Sequence, residues 1–271
     1  MPIKKEPNGR RSIQVEVEVP GTPEEVWRAI NTSNGISSWF VPTKTEERVG
    51  GKMSLDFGPG MESDSTITAW DPPHYSAKQG SEDGSGAPPM AFEWFVEAKS
   101  GGTCIVRVVQ SLFADTDDWD NQLTGTESGW PTFFAILKLV LTHYRDQQVH
   151  AIHELSFSST PADKAWDVLA TALNLTNANV GDHRASHPGV PPVSGTVFLA
   201  GHEKYNQLLL HVDQPAPGVA FLYAMSFGGS SMTAVNFYLF GPTSEAAVTR
   251  DQPQWRAWLD KHFPAPATTA S

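Results

Sequence analysis

Residues 13–30 read IQVEVEVPGTPEEVWRAI, and two periodicities stand back to back in this stretch. Ile13, Val15, Val17 and Val19 alternate with Gln14, Glu16 and Glu18, which is the period-two signature of a half-buried strand. Pro20 and Gly21 end it. Thr22 then offers a side-chain oxygen to the free N–H groups at the start of a helix, and Pro23 suits the first helical position. Glu24 and Glu25 complement the positive helix N-terminus. Val26, Trp27 and Ile30 supply the apolar face of a short helix. The chain therefore opens as a strand feeding a helix.

Strand signals continue downstream. Ser38-Trp39-Phe40 follows Gly35, and Gly50-Gly51 marks a turn into alternating Met53, Leu55 and Phe57. Residues 66–70 read as a strand stopped by Asp71-Pro72-Pro73, and a Gly-, Ser- and Pro-rich loop covers 79–89. Phe92, Trp94 and Val96 alternate with Glu93 and Glu97, so the two glutamates face away from the apolar side. Gly101-Gly102 turns into a long strand over 103–113. An acidic loop follows, with Asp115, Asp117, Asp118 and Asp120. Ser128 is expected to cap a helix with Pro131 in its first turn. Trp130, Phe133, Phe134, Leu137, Leu141 and Tyr144 then form the strongest helical stripe in the chain, at i, i+3, i+4, i+7, i+11 and i+14.

The pattern then restarts. Residues 152–157 are strand-like, and Ser159-Thr160-Pro161 opens a helix carrying Trp166 and Leu169. Four strand-like stretches follow at 196–200, 207–212, 219–226 and 232–240. A last helix holds Trp255, Trp258, Leu259 and His262, and Pro253 is expected to confine it to this final stretch. Each half thus reads strand, helix, several strands, helix. This predicts a diverged duplication: domains over 1–148 and 149–271, a boundary near Gln147 to His150, and a frayed tail from Pro264.

Composition bounds the function. The net charge of −11 disfavours nucleic acid, which needs a basic stripe, and also disfavours anionic lipid. No apolar run approaches membrane-spanning length. A single cysteine, Cys104, excludes an intramolecular disulfide framework and fits a reducing cytoplasm. Met1 to Arg11 lack an apolar signal core, so a cytoplasmic location is expected.

The first half resembles the bacterial homologues of the activator of the ninety-kilodalton heat-shock chaperone, within the START-like, polyketide-cyclase-like superfamily. The resemblance rests on Val19-Pro20 with Thr22-Pro23-Glu24-Glu25-Val26-Trp27, on Trp39-Phe40 and on Gly50-Gly51. ITAWDPPH at 67–74, Gly101-Gly102-Thr103 and Ser128-Gly129-Trp130 complete it, over roughly residues 12 to 146. The second half keeps the Thr-Pro-Trp helix and a terminal helix but lacks counterparts of Trp39-Phe40 and Gly50-Gly51. The resemblance implies an α+β fold of two helix-grip domains, each a curved antiparallel sheet wrapped around a C-terminal helix. A curved sheet and a long helix enclose space suited to an apolar ligand.

The candidate ligand residues are Trp39, Phe57, Trp70, Trp94, Val108, Gln110, Phe133, Phe134 and Leu137. The aromatic members would line a pocket or fill a core. Gln110 shares a strand face with Cys104, Val106, Val108 and Leu112, so inside the fold it needs a partner on the helix or on a ligand. No catalytic residue, cofactor or metal is expected. The aspartates after Asp115 miss the calcium-loop spacing, because Trp119 takes the fifth position. His183 and His187 have zinc-like spacing but sit in a Gly- and Pro-containing segment. His143, His150 and His153 read as surface or interdomain residues, and Cys104 as a small core residue. The leading reading is non-catalytic binding of a hydrophobic small molecule. The alternatives are a cyclase-, dehydratase- or hydrolase-like enzyme on an aromatic or polyketide-like substrate, and a chaperone-interacting module. The first half is expected to hold the pocket.

Overall fold

A computed structural model describes residues 3–80, 88–114, 120–202 and 204–265. Asp115, Asp117 and Asp118, residues 81–87 of the Gly-rich loop and the end of the tail lie outside the described residues. The chain divides into two compact units, Met1–Asp146 and Gln147–Ser271.

In the first unit β1 (Lys4–Lys5) and β2 (Arg10–Pro20) lead into α1 (Pro23–Asn31) and α2 (Ser33–Ser37). Six strands follow: β3 (Thr43–Thr45), β4 (Lys52–Asp56), β5 (Glu62–Asp71), β6 (Tyr75–Gly80), β7 (Ala91–Lys99) and β8 (Thr103–Phe113). The long helix α3 (Asp120–His143) closes the unit. The eight strands form one antiparallel sheet in the order β1-β2-β8-β7-β6-β5-β4-β3. The second unit runs β9 (His150–Ser158), α4 (Ala162–Ala172), β10 (His183–Ala185), β11 (Ser194–Ala200), β12 (Asn206–Gln214), β13 (Gly218–Phe227), β14 (Ser230–Leu239) and α5 (Ser244–His262). Its sheet has the order β10-β11-β12-β13-β14-β9.

Both sheets obey one rule. The first long strand pairs with the last (β2 with β8, β9 with β14), and the others follow back in sequence. Each unit places its helices after the first strand and after the last. The tandem helix-grip expectation therefore holds at the level of topology, with a shorter sheet in the second copy.

Local chemistry explains the entry into α1. The Thr22 hydroxyl accepts from the Glu25 N–H (3.3 Å), and the Glu25 carboxylate accepts from the Thr22 N–H (2.8 Å), a reciprocal capping box. The backbone donor at Thr22, together with Arg145 at 2.8 Å, holds the Glu25 carboxyl below the usual carboxylate range. Thr22→Ala is expected to lower first-unit stability by about 1 kcal/mol, read as a shift in denaturation midpoint. An unchanged midpoint would show that packing alone sets this helix start. The second copy departs here: Pro161 itself takes the cap position of α4, with no side-chain cap bond.

Two helix expectations need correction. α3 begins at Asp120 rather than Ser128 and carries Pro131 in its interior. Asp120 lies in the first turn, where an anion is favoured, and is paired with Arg11 (2.7 Å) and Lys5 (2.8 Å). α5 begins at Ser244 and runs through Pro253 instead of starting after it. Ala247, Asp251, Trp255, Trp258 and Leu259 are buried on either side of that proline. Their burial outweighs the roughly 3 kcal/mol that an interior proline costs.

The second unit has one large apolar cluster. Phe237, Trp255, Trp258, Leu259 and Phe263 join Leu208, Leu210, Leu222 and Val235 in one cluster, with Phe237 and Trp255 ring centroids 5.6 Å apart.

Candidate ligand site in the first unit

Strand alternation decides which side chains meet α3. On β7, Trp94 and Val96 are buried, while Glu97 is exposed and pairs with Arg107 at 2.9 Å. On β8, Cys104, Val106, Val108, Gln110 and Leu112 are all buried along one face. α3 brings Trp130, Phe134 and Leu137 to this face, and the segment after α2 adds Trp39 and Phe40.

The rings form a continuous band. Centroid separations are 6.1 Å for Trp39–Trp94, 6.5 Å for Trp39–Phe134, 5.4 Å for Trp94–Trp130 and 5.5 Å for Trp130–Phe134. Such spacings are within the range of favourable edge-to-face and offset contacts. Phe40 extends the band, 5.8 Å from Trp130 and 4.6 Å from Phe133. The Trp39 indole N–H donates to the Ala29 carbonyl (2.9 Å), fixing that ring against α1.

Six of the sequence-selected residues thus come together: Trp39, Trp94, Val108, Gln110, Phe134 and Leu137 are all buried in the sheet–helix layer. Phe133 is half-buried against Phe40. Phe57 lies just past β4, is 37% exposed and meets Phe40 at 5.6 Å. Trp70 is half-buried on β5, and its ring packs edge-on against Trp27 at 5.0 Å.

Polar groups are buried in the same layer. Gln110 accepts from the Trp130 indole N–H (3.3 Å), and its amide nitrogen meets the Met90 sulfur. Asn31, at the end of α1, accepts from the Ser76 hydroxyl (2.7 Å), while its Nδ2 is buried with no hydrogen-bond partner. Ser76 and Lys78 share the inner face of β6, at 0% and 5% exposure. Lys78 Nζ stands 6.0 Å from the Trp94 ring centroid, and burial pushes its amine down to about 7.

Sequence reasoning missed Asn31, Ser76 and Lys78. β6 reads YSAKQG, without the apolar alternation that announces a strand. The available signal was indirect: a strand after the Asp71-Pro72-Pro73 turn places Ser76 and Lys78 on one face.

The outer face of the sheet is different. A groove of about 450 Å³ there is bordered by Arg10, Glu93, Phe95 and Arg107. Its charges are paired: Arg10 with Glu93 at 2.5 Å, and Arg107 with Glu97 while its guanidinium stacks 4.5 Å from the Phe95 ring. Glu93 also accepts from the Tyr75 hydroxyl (3.2 Å), so this glutamate is half-buried and bonded rather than simply solvated.

Among the described residues no cluster of three His, Cys, Asp or Glu is placed to hold a metal ion. His183 is exposed and pairs with Asp213 at 2.7 Å. His150 and His153 bond to Ser244 (2.8 Å) and Asn236 (3.1 Å). Cys104 donates to the Gly21 carbonyl (3.3 Å), and burial pushes its thiol up, away from nucleophilic character. No described helix is long and apolar enough to cross a membrane.

A curved antiparallel sheet, helices after its first strand and a long helix against its inner face define the START-like, helix-grip class. Residues 20–142 match the family model described as Activator of Hsp90 ATPase homolog 1-like protein. No curated protein matches the chain in sequence. Among solved structures, the di-domain ARO/CYC BexL from the BE-7585A biosynthetic pathway is 15% identical, over 94% of this chain and 99% of its own, with a TM-score of 0.44. DynU16, a putative protein in the dynemicin biosynthetic locus, is 15% identical over 91% of this chain and 94% of its own, with a TM-score of 0.43. MLL2253 from Mesorhizobium loti is 23% identical over 49% of this chain and 98% of its own, with a TM-score of 0.45. At these identities and TM-scores none of them transfers a ligand or an activity to this chain.

Proposed function

We propose that the first unit holds an apolar, ring-bearing small molecule between its sheet and α3, without transforming it, and that the second unit is a filled copy of the same scaffold. The observation that carries this reading is the polar inner face of β6. Ser76 and Lys78, with Asn31 beside them, are buried against an aromatic band, and the Asn31 amide is left one bond short. A core built only for stability gains nothing from burying such groups, since each unsatisfied donor costs about 1–3 kcal/mol. A ligand that occupies part of the aromatic layer and accepts from these donors removes that cost. Among the described residues the second unit also buries polar groups, Thr233, Gln207 and Asp251 among them, but no lysine.

Leu137→Trp tests the reading. Leu137 is fully buried on the α3 face that meets the sheet, so a larger ring there competes with a guest. With N-phenyl-1-naphthylamine as a neutral fluorescent probe, affinity is expected to fall roughly tenfold, about 1.4 kcal/mol, with the melting temperature little changed. If the parent protein does not bind the probe and the variant loses about 1–3 kcal/mol of stability by overpacking, the layer is core alone and the reading fails.

A further inference from the structure

We propose that Lys78 is the anchor for an acidic group, such as a carboxylate, a sulfonate or an acidic phenol, on an aromatic ligand of the first unit; this rests on the binding reading above and specifies its ligand class. The register places Lys78 in a row across the inner face, with Phe92, Gln110 and Ile13 opposite one another on β7, β8 and β2. Ile67 of β5 lies opposite it on the other side. Lys78 is 5% exposed, with its ammonium over the Trp94 ring.

Among the described residues no carboxylate pairs with it. The neighbours from β5 and β7 are Ile67, Phe92 and Trp94, none of them titratable, and α1 contributes the neutral Asn31 through Ser76. Asp120, at the start of α3, is already committed to Arg11 and Lys5. A buried ammonium is normally retained with a counter-charge, and one ring face does not replace that charge. By contrast, Arg10 and Arg107 in the outer-face groove have their carboxylates in place. A buried cation beside aromatic rings and a glutamine amide suits a flat molecule that carries one anionic group.

This arrangement has a pH signature. With the free amine held down to about 7, seating an anion restores its proton, so binding takes up a proton above neutrality. Affinity for an anionic guest then falls as pH rises, by up to about tenfold per unit, whereas a neutral guest is indifferent.

The test uses two probes with one ring system, anilinonaphthalene sulfonate and neutral N-phenyl-1-naphthylamine, on the full chain. Lys78→Met is expected to weaken the sulfonate roughly tenfold or more, and the neutral probe far less. Lys78→Arg, which keeps its charge at all accessible pH, is expected to retain sulfonate binding and abolish the pH dependence. Near-UV circular dichroism verifies that both variants keep native packing. If wild type binds the neutral probe, yet the sulfonate binds Lys78→Met as well as wild type, the anchor is overturned while the binding reading stands. If wild type binds neither probe, both fall.

Discussion

Trp39→Ala is expected to destabilise the first unit by about 3–5 kcal/mol, the range for truncating a buried Trp or Phe. Trp39 is 1% exposed and touches the rings of Phe40, Trp94 and Phe134. Truncation empties a volume walled by β7, α3 and α1, and the rigid rings around it cannot collapse inward without leaving favourable geometry. It also removes the indole N–H that reaches the Ala29 carbonyl. Trp39→Phe keeps one six-membered ring and loses the rest of the indole with its donor, so it is expected to fall between wild type and Ala. Denaturant melts, followed by a signal from the first unit, measure both. A loss below about 1 kcal/mol for Trp39→Ala would mean that the site relaxes freely and the aromatic band is not a packed unit.

The second large effect concerns Lys78 in the absence of any ligand. Its amine is pushed down to about 7 in the folded protein by burial, whereas an unfolded lysine keeps its proton to about 10.4. Between these values the unfolded state binds more protons than the native state, so stability rises with pH across that window. Below about 7 both states are protonated and the penalty is present in full; above about 10.4 it has vanished. The rise approaches 1.4 kcal/mol per unit, several kcal/mol in all. Lys78→Met has no such proton to lose. The variant is expected to be more stable than wild type at neutral and acidic pH, with the two stability curves converging as pH increases. Taking the difference between the curves cancels the other lysines and the tyrosines. Parallel curves from about pH 6 to 10 would show that the amine reaches water in the folded state and is not desolvated.

The two expectations pull in opposite directions within one layer. Trp39 is held by contacts that a core needs, and Lys78 sits there at a cost that a core does not need. Lost stability at the first and gained stability at the second would together mark a layer in which stability has been given up for binding.

Much of the first unit was legible in its sequence. The alternation of β2, β7 and β8 put Trp94 with Val96, and Val108 with Gln110, on shared faces, and both pairs lie in the buried layer. Thr22, Pro23 and the acids Glu24 and Glu25 announced a helix start, and the structure adds a reciprocal bond between Thr22 and Glu25. The repeated order of strand, helix, strands, helix pointed to two related units, and the two sheets share one strand order. All of these are relations between residues close in the chain, or a pattern repeated along it, and they follow from local geometry.

Other features depended on distant partners. Pro131 and Pro253 suggested helix limits that burial on both sides of each proline overrides. Trp70 resembled its neighbours in type, yet its strand carries it to Trp27 rather than to the central band. β6 has no apolar period of its own, and only its pairing with β5 and β7 turns Ser76 and Lys78 inward. A lysine in a polar hexapeptide looks like a surface residue until Ile67 and Phe92 of the adjoining strands are laid beside it. Periodicity is carried by consecutive residues and survives in the unfolded sequence, but desolvation of an amine is a property of the space around it, and in this protein that space is assembled from strands and helices far apart in the chain.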